Sequence, residues 1–192
     1  MMPVDLHFGL FNSNFSEKTS EQIAVLWLRA MAASNLAYLH EHPETPSLYD
    51  GTVHYILEQN TQHWLPIPEL RRPRRVQGPD GSPVLVCGGD CKDLATYAVA
   101  WYYYLGERFL KEALRRGARG LPYRKVVRYA KLLQSCKVDL VPSNSGFFKY
   151  HVRNRWPYGP PPGHKAPVKG KVEDPSEILG MGENGLIELA GP

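Results

Sequence analysis

Residues 86–103 read VCGGDCKDLATYAVAWYY, and this stretch decides the fold. Asp90 is a residue type that caps helix N-termini. Asp93, three places on, makes an acidic variant of the capping box. Cys91 is then the first residue of a helix. Leu94, Ala95, Ala98, Trp101, Tyr102 and Leu105 follow on the same face, at spacings that only a helix brings together. Cys91 therefore points inward at the positive end of the helix dipole, where a thiolate is favoured. Gly88 and Gly89 are expected to leave room for a substrate chain to reach the sulfur. The stretch alone admits four roles for this thiol: metal ligand, redox partner of Cys87, packed core cysteine, or nucleophile. The CxxxC spacing weakens the redox reading, and the absence of a second paired element weakens zinc. Cys87 and Cys136 read as structural or incidental.

Working outward, Ser20 and then Gln22 to Leu39 read as an amphipathic helix presenting Ile23, Leu26, Trp27, Ala30, Met31, Ser34 and Tyr38. Pro43 and Pro46 end it. Asp50-Gly51 marks a turn, and VHYIL reads as a short strand. Residues 63–85 carry five prolines and read as an irregular loop. The helix from Cys91 is expected to run to about Arg116 and stop at Gly117. The following YRKVVRYAKLL admits strand or helix, and strand is favoured because Gly117, Gly120 and Pro122 break the chain before it. Residues 147–155 and 168–174 read as paired strands, and the tail from Glu183 as loosely attached. Helices first and antiparallel strands later predict an α+β domain. The organisation expected is residues 1–45 as a lead-in and helix packed on the core, 46–182 as the main domain, and 183–192 as a tail.

The bulk composition is that of a soluble globular protein, with 43% hydrophobic and 22% charged residues among 192. The net charge of +4 is mild. The patch Arg71, Arg72, Arg74 and Arg75 reads as a solvated loop, with no recognition helix or stacking motif beside it. That argues against nucleic acid as a partner. Three cysteines, an odd and low count, point to a reducing compartment and a cytoplasmic setting. The N-terminus has no basic region followed by an apolar run, and Arg29, Ser34 and Asn35 interrupt the most apolar helix. Neither a signal peptide nor a membrane partner is expected.

A nucleophilic thiol needs a base, and the base needs orienting. His151, in the strand FKYHVRN, is the candidate base. Asp174, in VEDPSEILG, is the candidate orienter, held extended by Pro175. If the two strands form a hairpin, His151 and Asp174 become neighbours. The carboxylate can then fix the imidazole tautomer that takes a proton from sulfur. His164, in the proline-rich loop, reads as solvated by default. Asp93 reads as a helix cap or a support for the loop. The run Trp101 to Tyr104 reads as core plus one exposed tyrosine.

The pattern GGDCKDLA, then YHV about sixty residues on, then EDPS some twenty later, resembles the transglutaminase-like branch of the papain-like cysteine peptidase superfamily. The flanking LYDGTVHYILEQN, WLPIPEL and EDPSEILGM resemble small phage-encoded proteins of that kind. The resemblance spans roughly residues 48–181. It implies a nucleophile-bearing helix packed on an antiparallel sheet and a catalytic triad of Cys91, His151 and Asp174. It implies an oxyanion donor from an upstream loop, with Trp64 or Gln62 as candidates, beside the backbone N–H of Cys91 and with Asp90 in support. No cofactor or metal is implied.

These expectations describe a cysteine-dependent acyl-transfer enzyme working through a thioester, a peptidase or amidase or a transglutaminase. Its partner would be a peptide or protein substrate, in host cytoplasm or virion. The alternative is a non-catalytic phage structural or assembly protein, bound to virion proteins, that uses the same fold as a binding module.

Overall fold

The computed structural model describes residues 17–57, 64–143, 150–164, 166–181 and 185–189. Its elements are α1 (Glu17–Glu41), β1 (Val53–Tyr55), α2 (Ile67–Leu70), β2 (Arg74–Gln77), β3 (Pro83–Gly89), α3 (Cys91–Arg115), α4 (Gly120–Leu133), β4 (Lys137–Pro142), β5 (Tyr150–Arg155), β6 (Val172–Glu173), α5 (Pro175–Ile178) and β7 (Ile187–Glu188). The fold is α+β. One sheet runs β1-β3-β2-β7 and the other β4-β5-β6.

α3 is the central element. Every residue from Asp93 to Ala100 is buried, so its first turns are covered on all sides. α1 packs on it through Ala24, Leu28, Met31, Asn35 and Leu39. This face is rotated from the expected one, and Leu26 is 62% exposed. Asn35 explains part of the rotation. It is buried, its side-chain oxygen accepts from the Ile67 amide at 3.2 Å, and its amide reaches the Thr96 hydroxyl at 3.5 Å. A buried amide must be satisfied, so it sets which face turns inward. Leu39, Leu48, Ile67 and Leu70 are fully buried beside it, each stabilising the core by roughly 1.5–3 kcal/mol.

Three expectations about local structure are corrected. Residues 120–133 are a helix, not a strand. Gly120, at φ +59°, takes the left-handed turn that starts the helix after Gly117, at φ +70°. Pro122 sits in the first turn, where its missing N–H has no intrahelical partner to lose. Ala130 and Leu133 are the buried positions, a helical and not an alternating spacing. Residues 63–85 are likewise not an irregular loop throughout. α2 is followed by a β2–β3 hairpin in which Val76 pairs with Val84, turned at Gly81 with φ +83°. Within β2 and β3, proline stands only at the first position of β3, where strands tolerate it. Residues 185–189 of the expected tail are also seated: β7 pairs with β2, and Leu186 is 8% exposed.

Of the patch Arg71, Arg72, Arg74 and Arg75, Arg72 and Arg75 are exposed as expected, but Arg71 and Arg74 are not solvated. Arg71 donates to the Tyr97 hydroxyl at 2.9 Å, to Asp50 at 3.0 Å and to the Ser47 carbonyl at 2.6 Å. Arg74 pairs with Glu188 at 3.2 Å. These side chains fasten segments together. Of the aromatic run, Tyr102 and Tyr104 are buried and Trp101 and Tyr103 half-buried, so no tyrosine there is exposed. Among the described residues, no helix is long and apolar enough to cross a membrane.

Candidate active site

Cys91 opens α3 as its sequence requires. The Asp90 side chain accepts from the Lys92 and Asp93 amides, and the Asp93 carboxylate accepts from the Asp90 amide, completing the box. Leu94 bonds to the Asp90 carbonyl. None of these bonds uses the Cys91 amide, one of the first-turn N–H groups that a helix leaves over. Lys92 lies 2.6 Å from Asp90 and screens the two carboxylates from one another.

The two glycines before Cys91 have a different reason from the expected one. A Cβ on Gly88 would stand 2.1 Å from the His54 carbonyl oxygen, across the parallel pairing of β1 and β3. A Cβ on Gly89 would stand 2.8 Å from the Asp93 carboxylate. Internal packing demands both residues, independent of any substrate.

His151 and Asp174 come together as a hairpin requires. β5 pairs with β6 through Asn154 with Glu173 and Arg155 with Val172. Side chains alternate, so His151 and Asp174 share the face opposite Asn154 and Glu173. His151 Nε2 lies 2.6 Å from Asp174 Oδ2. With the carboxylate ionised, Nε2–H donates and Nδ1 carries the lone pair. Asp174 also caps α5, accepting from the Ser176 amide at 3.1 Å and the Glu177 amide at 3.3 Å. Burial raises its pKa, but His151 and the two amides outweigh that and hold it below the usual carboxylate range. The pair is partly reachable, with side chains 17% and 15% exposed.

Cys91 meets this hairpin at β5. Its sulfur takes a backbone hydrogen bond from Val152, the residue after His151, and Cys91 packs against the cluster of Leu28, Met31, Ala95 and Val152. Burial is the largest influence on the thiol and pushes its pKa well up. The Asp90 charge adds to this, and the Val152 bond opposes it. The resting sulfur is therefore a thiol despite its place at a helix N-terminus.

Trp64 is brought to the same cluster. Its indole N–H is buried and makes no hydrogen bond among the described residues. Leaving such a donor unpaired costs about 1–3 kcal/mol, so it needs an explanation. The next residue is pinned: the Leu65 amide donates to Asp93 Oδ1 at 2.9 Å. Asp93 is fully buried, and burial pushes its pKa up to about 7. It is both the helix cap and the support for the loop. Gln62 lies outside the described residues.

Cys87 is not part of this cluster; its thiol donates to the Arg71 carbonyl at 3.0 Å. Cys136 is fully buried in the core. His164 is not solvated. Its Nε2 lies 2.9 Å from Glu173 Oε2, so the proline-rich loop turns this side chain inward. Glu173 is wholly buried and also accepts from Tyr49 at 2.5 Å, Tyr102 at 2.8 Å and Trp156 at 3.2 Å. Sequence reading missed this network because its members are far apart in the chain. A buried glutamate flanked by aromatic donors leaves no short-range pattern.

Comparison with protein-family models, curated proteins and solved structures returns no match.

Proposed function

We propose that the protein is a cysteine-dependent acyl-transfer enzyme with Cys91, His151 and Asp174 as its triad, in a papain/transglutaminase-like arrangement. The observation that carries this is the 2.6 Å bond from His151 Nε2 to Asp174 on a strand whose backbone touches the Cys91 sulfur. Cys91, His151 and Asp174 follow one another along 84 positions of the chain in the order nucleophile, base, orienter. The resemblance of GGDCKDLA, YHV and EDPS to the transglutaminase-like branch supports the same reading.

The Cys91 sulfur attacks a substrate amide carbonyl as its proton passes to His151 Nδ1. Because the resting thiol is protonated, His151 acts as a general base during attack and not as half of a standing ion pair. Asp174 fixes the tautomer and stabilises the imidazolium. The Cys91 amide and the Trp64 indole N–H donate to the oxyanion. The imidazolium then protonates the leaving amine, and a thioester remains. Water releases an acid, as in a peptidase or amidase; an amine acceptor gives a transglutaminase product. The substrate is a peptide or protein, and a phage virion protein fits the resemblance. No step calls for a cofactor.

The test is incubation with a glutamine-containing peptide, with and without a labelled amine, read by mass spectrometry. Hydrolysis or amine incorporation that disappears in Cys91→Ala, with helical circular dichroism retained, supports the reading. Turnover retained in Cys91→Ala refutes it. A second reading, a non-catalytic structural or assembly module, is favoured by the burial of the Cys91 sulfur, which pushes its pKa up. That module would form no thioester with any activated acyl donor.

A further inference from the structure

Charge in this chain is unevenly placed. Residues 113–138 hold eight of the 23 Lys and Arg and none of the 19 Asp and Glu. This segment carries +8, and the rest of the chain sums to −4. It spans the end of α3, all of α4 and the start of β4. Read as a strand, residues 124–131 scatter these cations over two faces. As a helix they line up. Arg124, Arg128 and Lys131 share one face of α4, with rungs about 6 Å and about 4.5 Å apart along the axis.

That face borders a groove of about 580 Å³. Tyr123, Arg124, Arg128 and Lys131 form one side, and Tyr158 closes the other. Nearby ion pairs engage Arg115 and Arg116 with Glu112, and Arg153 with Asp139. Arg124, Arg128 and Lys131 have no carboxylate partner among the described residues. Tyr158 stands on the loop after β5 and is 80% exposed, with its ring offered to solvent.

We propose that this groove binds a segment of single-stranded nucleic acid. Three exposed cations in a row match a backbone that carries a charge on every unit. Two aromatic rings flanking them match bases, which stack on tyrosine whatever their identity. An acidic peptide would answer the charges but would leave both rings without a π partner. A duplex keeps its bases stacked inside and has no use for Tyr158. The segment does not reach the thiol. Tyr129 of α4 packs against Phe109, at 5.4 Å between ring centroids. Phe109 lies 18 residues, or about 27 Å, down α3 from Cys91. The inference therefore stands apart from the acyl-transfer reading, and its test needs no turnover.

The experiment is fluorescence anisotropy of the full chain with a labelled oligothymidylate of about 15 nucleotides, across a salt series. Binding is expected to weaken steeply with salt and to be lost in the double variant Arg124→Glu, Arg128→Glu. Tyr158→Ala should weaken it about tenfold with an unchanged salt slope, since stacking releases no counterion. Arg75→Glu, a reversal of equal sign on the exposed side of β2, should leave it within about twofold. Circular dichroism confirms that each variant is folded. Absence of binding at low salt overturns the proposal. So does an equal loss in Arg75→Glu, or full binding in Tyr158→Ala. Poly-glutamate that competes as well as the oligonucleotide, mass for mass, also overturns it and assigns the groove to an acidic protein.

Discussion

Glu173 and Asp174 are consecutive carboxylates that share no hydrogen-bond partner among the described residues. Glu173 faces inward and collects Tyr49, Tyr102, Trp156 and His164. Asp174 faces the other way and holds His151 and the first turn of α5. One strand end thus anchors the fold with one residue and orients a histidine with the next.

Exchanging these two residues separates stability from turnover. Glu173→Ala leaves several buried donors unpaired and should cost at least about 3 kcal/mol, read from the urea midpoint. Asp174→Asn keeps a good N-cap for α5 and should change stability by about 1 kcal/mol or less. It removes the charge that fixes the His151 tautomer. Acylation by p-nitrophenyl acetate should fall on the order of 10³- to 10⁴-fold with little change in KM.

Acid should loosen the hairpin through Asp174. Its folded pKa is lowered from 3.8, so it contributes stability in full above the unfolded value. That contribution is lost as pH falls through the lower folded value. Urea midpoints of the wild type and Asp174→Asn, measured from about pH 6 down to pH 2, should converge toward the acid end. A constant gap would show that the carboxylate charge has no part in holding His151.

Cys91 should be a slow thiol at rest. A free cysteine has a pKa near about 8.5, and burial moves this one upward. Iodoacetamide labelling, resolved by peptide mapping, should lag behind a reference thiol at neutral pH and rise only in alkali. An activated ester, which can engage the proposed oxyanion donors, should nonetheless acylate Cys91 in preference to Cys87 and Cys136. Fast alkylation at pH 6 would show a standing thiolate and require a different account of His151.

Trp64 and Asp93 should act as one unit. Trp64→Phe keeps the packing and deletes the indole donor, so acylation should drop about 10²- to 10³-fold. Asp93→Ala unpins the Leu65 amide and should lower the rate by a similar factor, with a shift in tryptophan emission. Combined, the two losses should be far from additive, because both act through one indole. Additive losses would separate Asp93 from the oxyanion site.

The legible parts of the sequence were the local ones. Asp90, Cys91 and Asp93 announced the start of α3, because capping is decided within four residues. The β5–β6 hairpin and the His151–Asp174 pair emerged from alternation and a proline. α4 is not fixed by its sequence, because Gly117, Gly120 and Pro122 signal a break without specifying the next element. The parallel pairing of β1 with β3 and the Glu173 network rest on contacts between distant segments, which no local pattern encodes. The burial of the Trp64 N–H without a partner among the described residues is a property of the fold that its local sequence does not display.

Gly88 and Gly89 bear on how mutational scans of this chain should be interpreted. Each is pressed on its missing side chain by a neighbour, His54 for one and Asp93 for the other. Both positions should tolerate substitution no better than Cys91, although neither takes part in bond making. Intolerance spread evenly across 88–91 would therefore record assembly of the β3–α3 junction. The chemistry would show itself only at the position where the protein survives and the thioester does not.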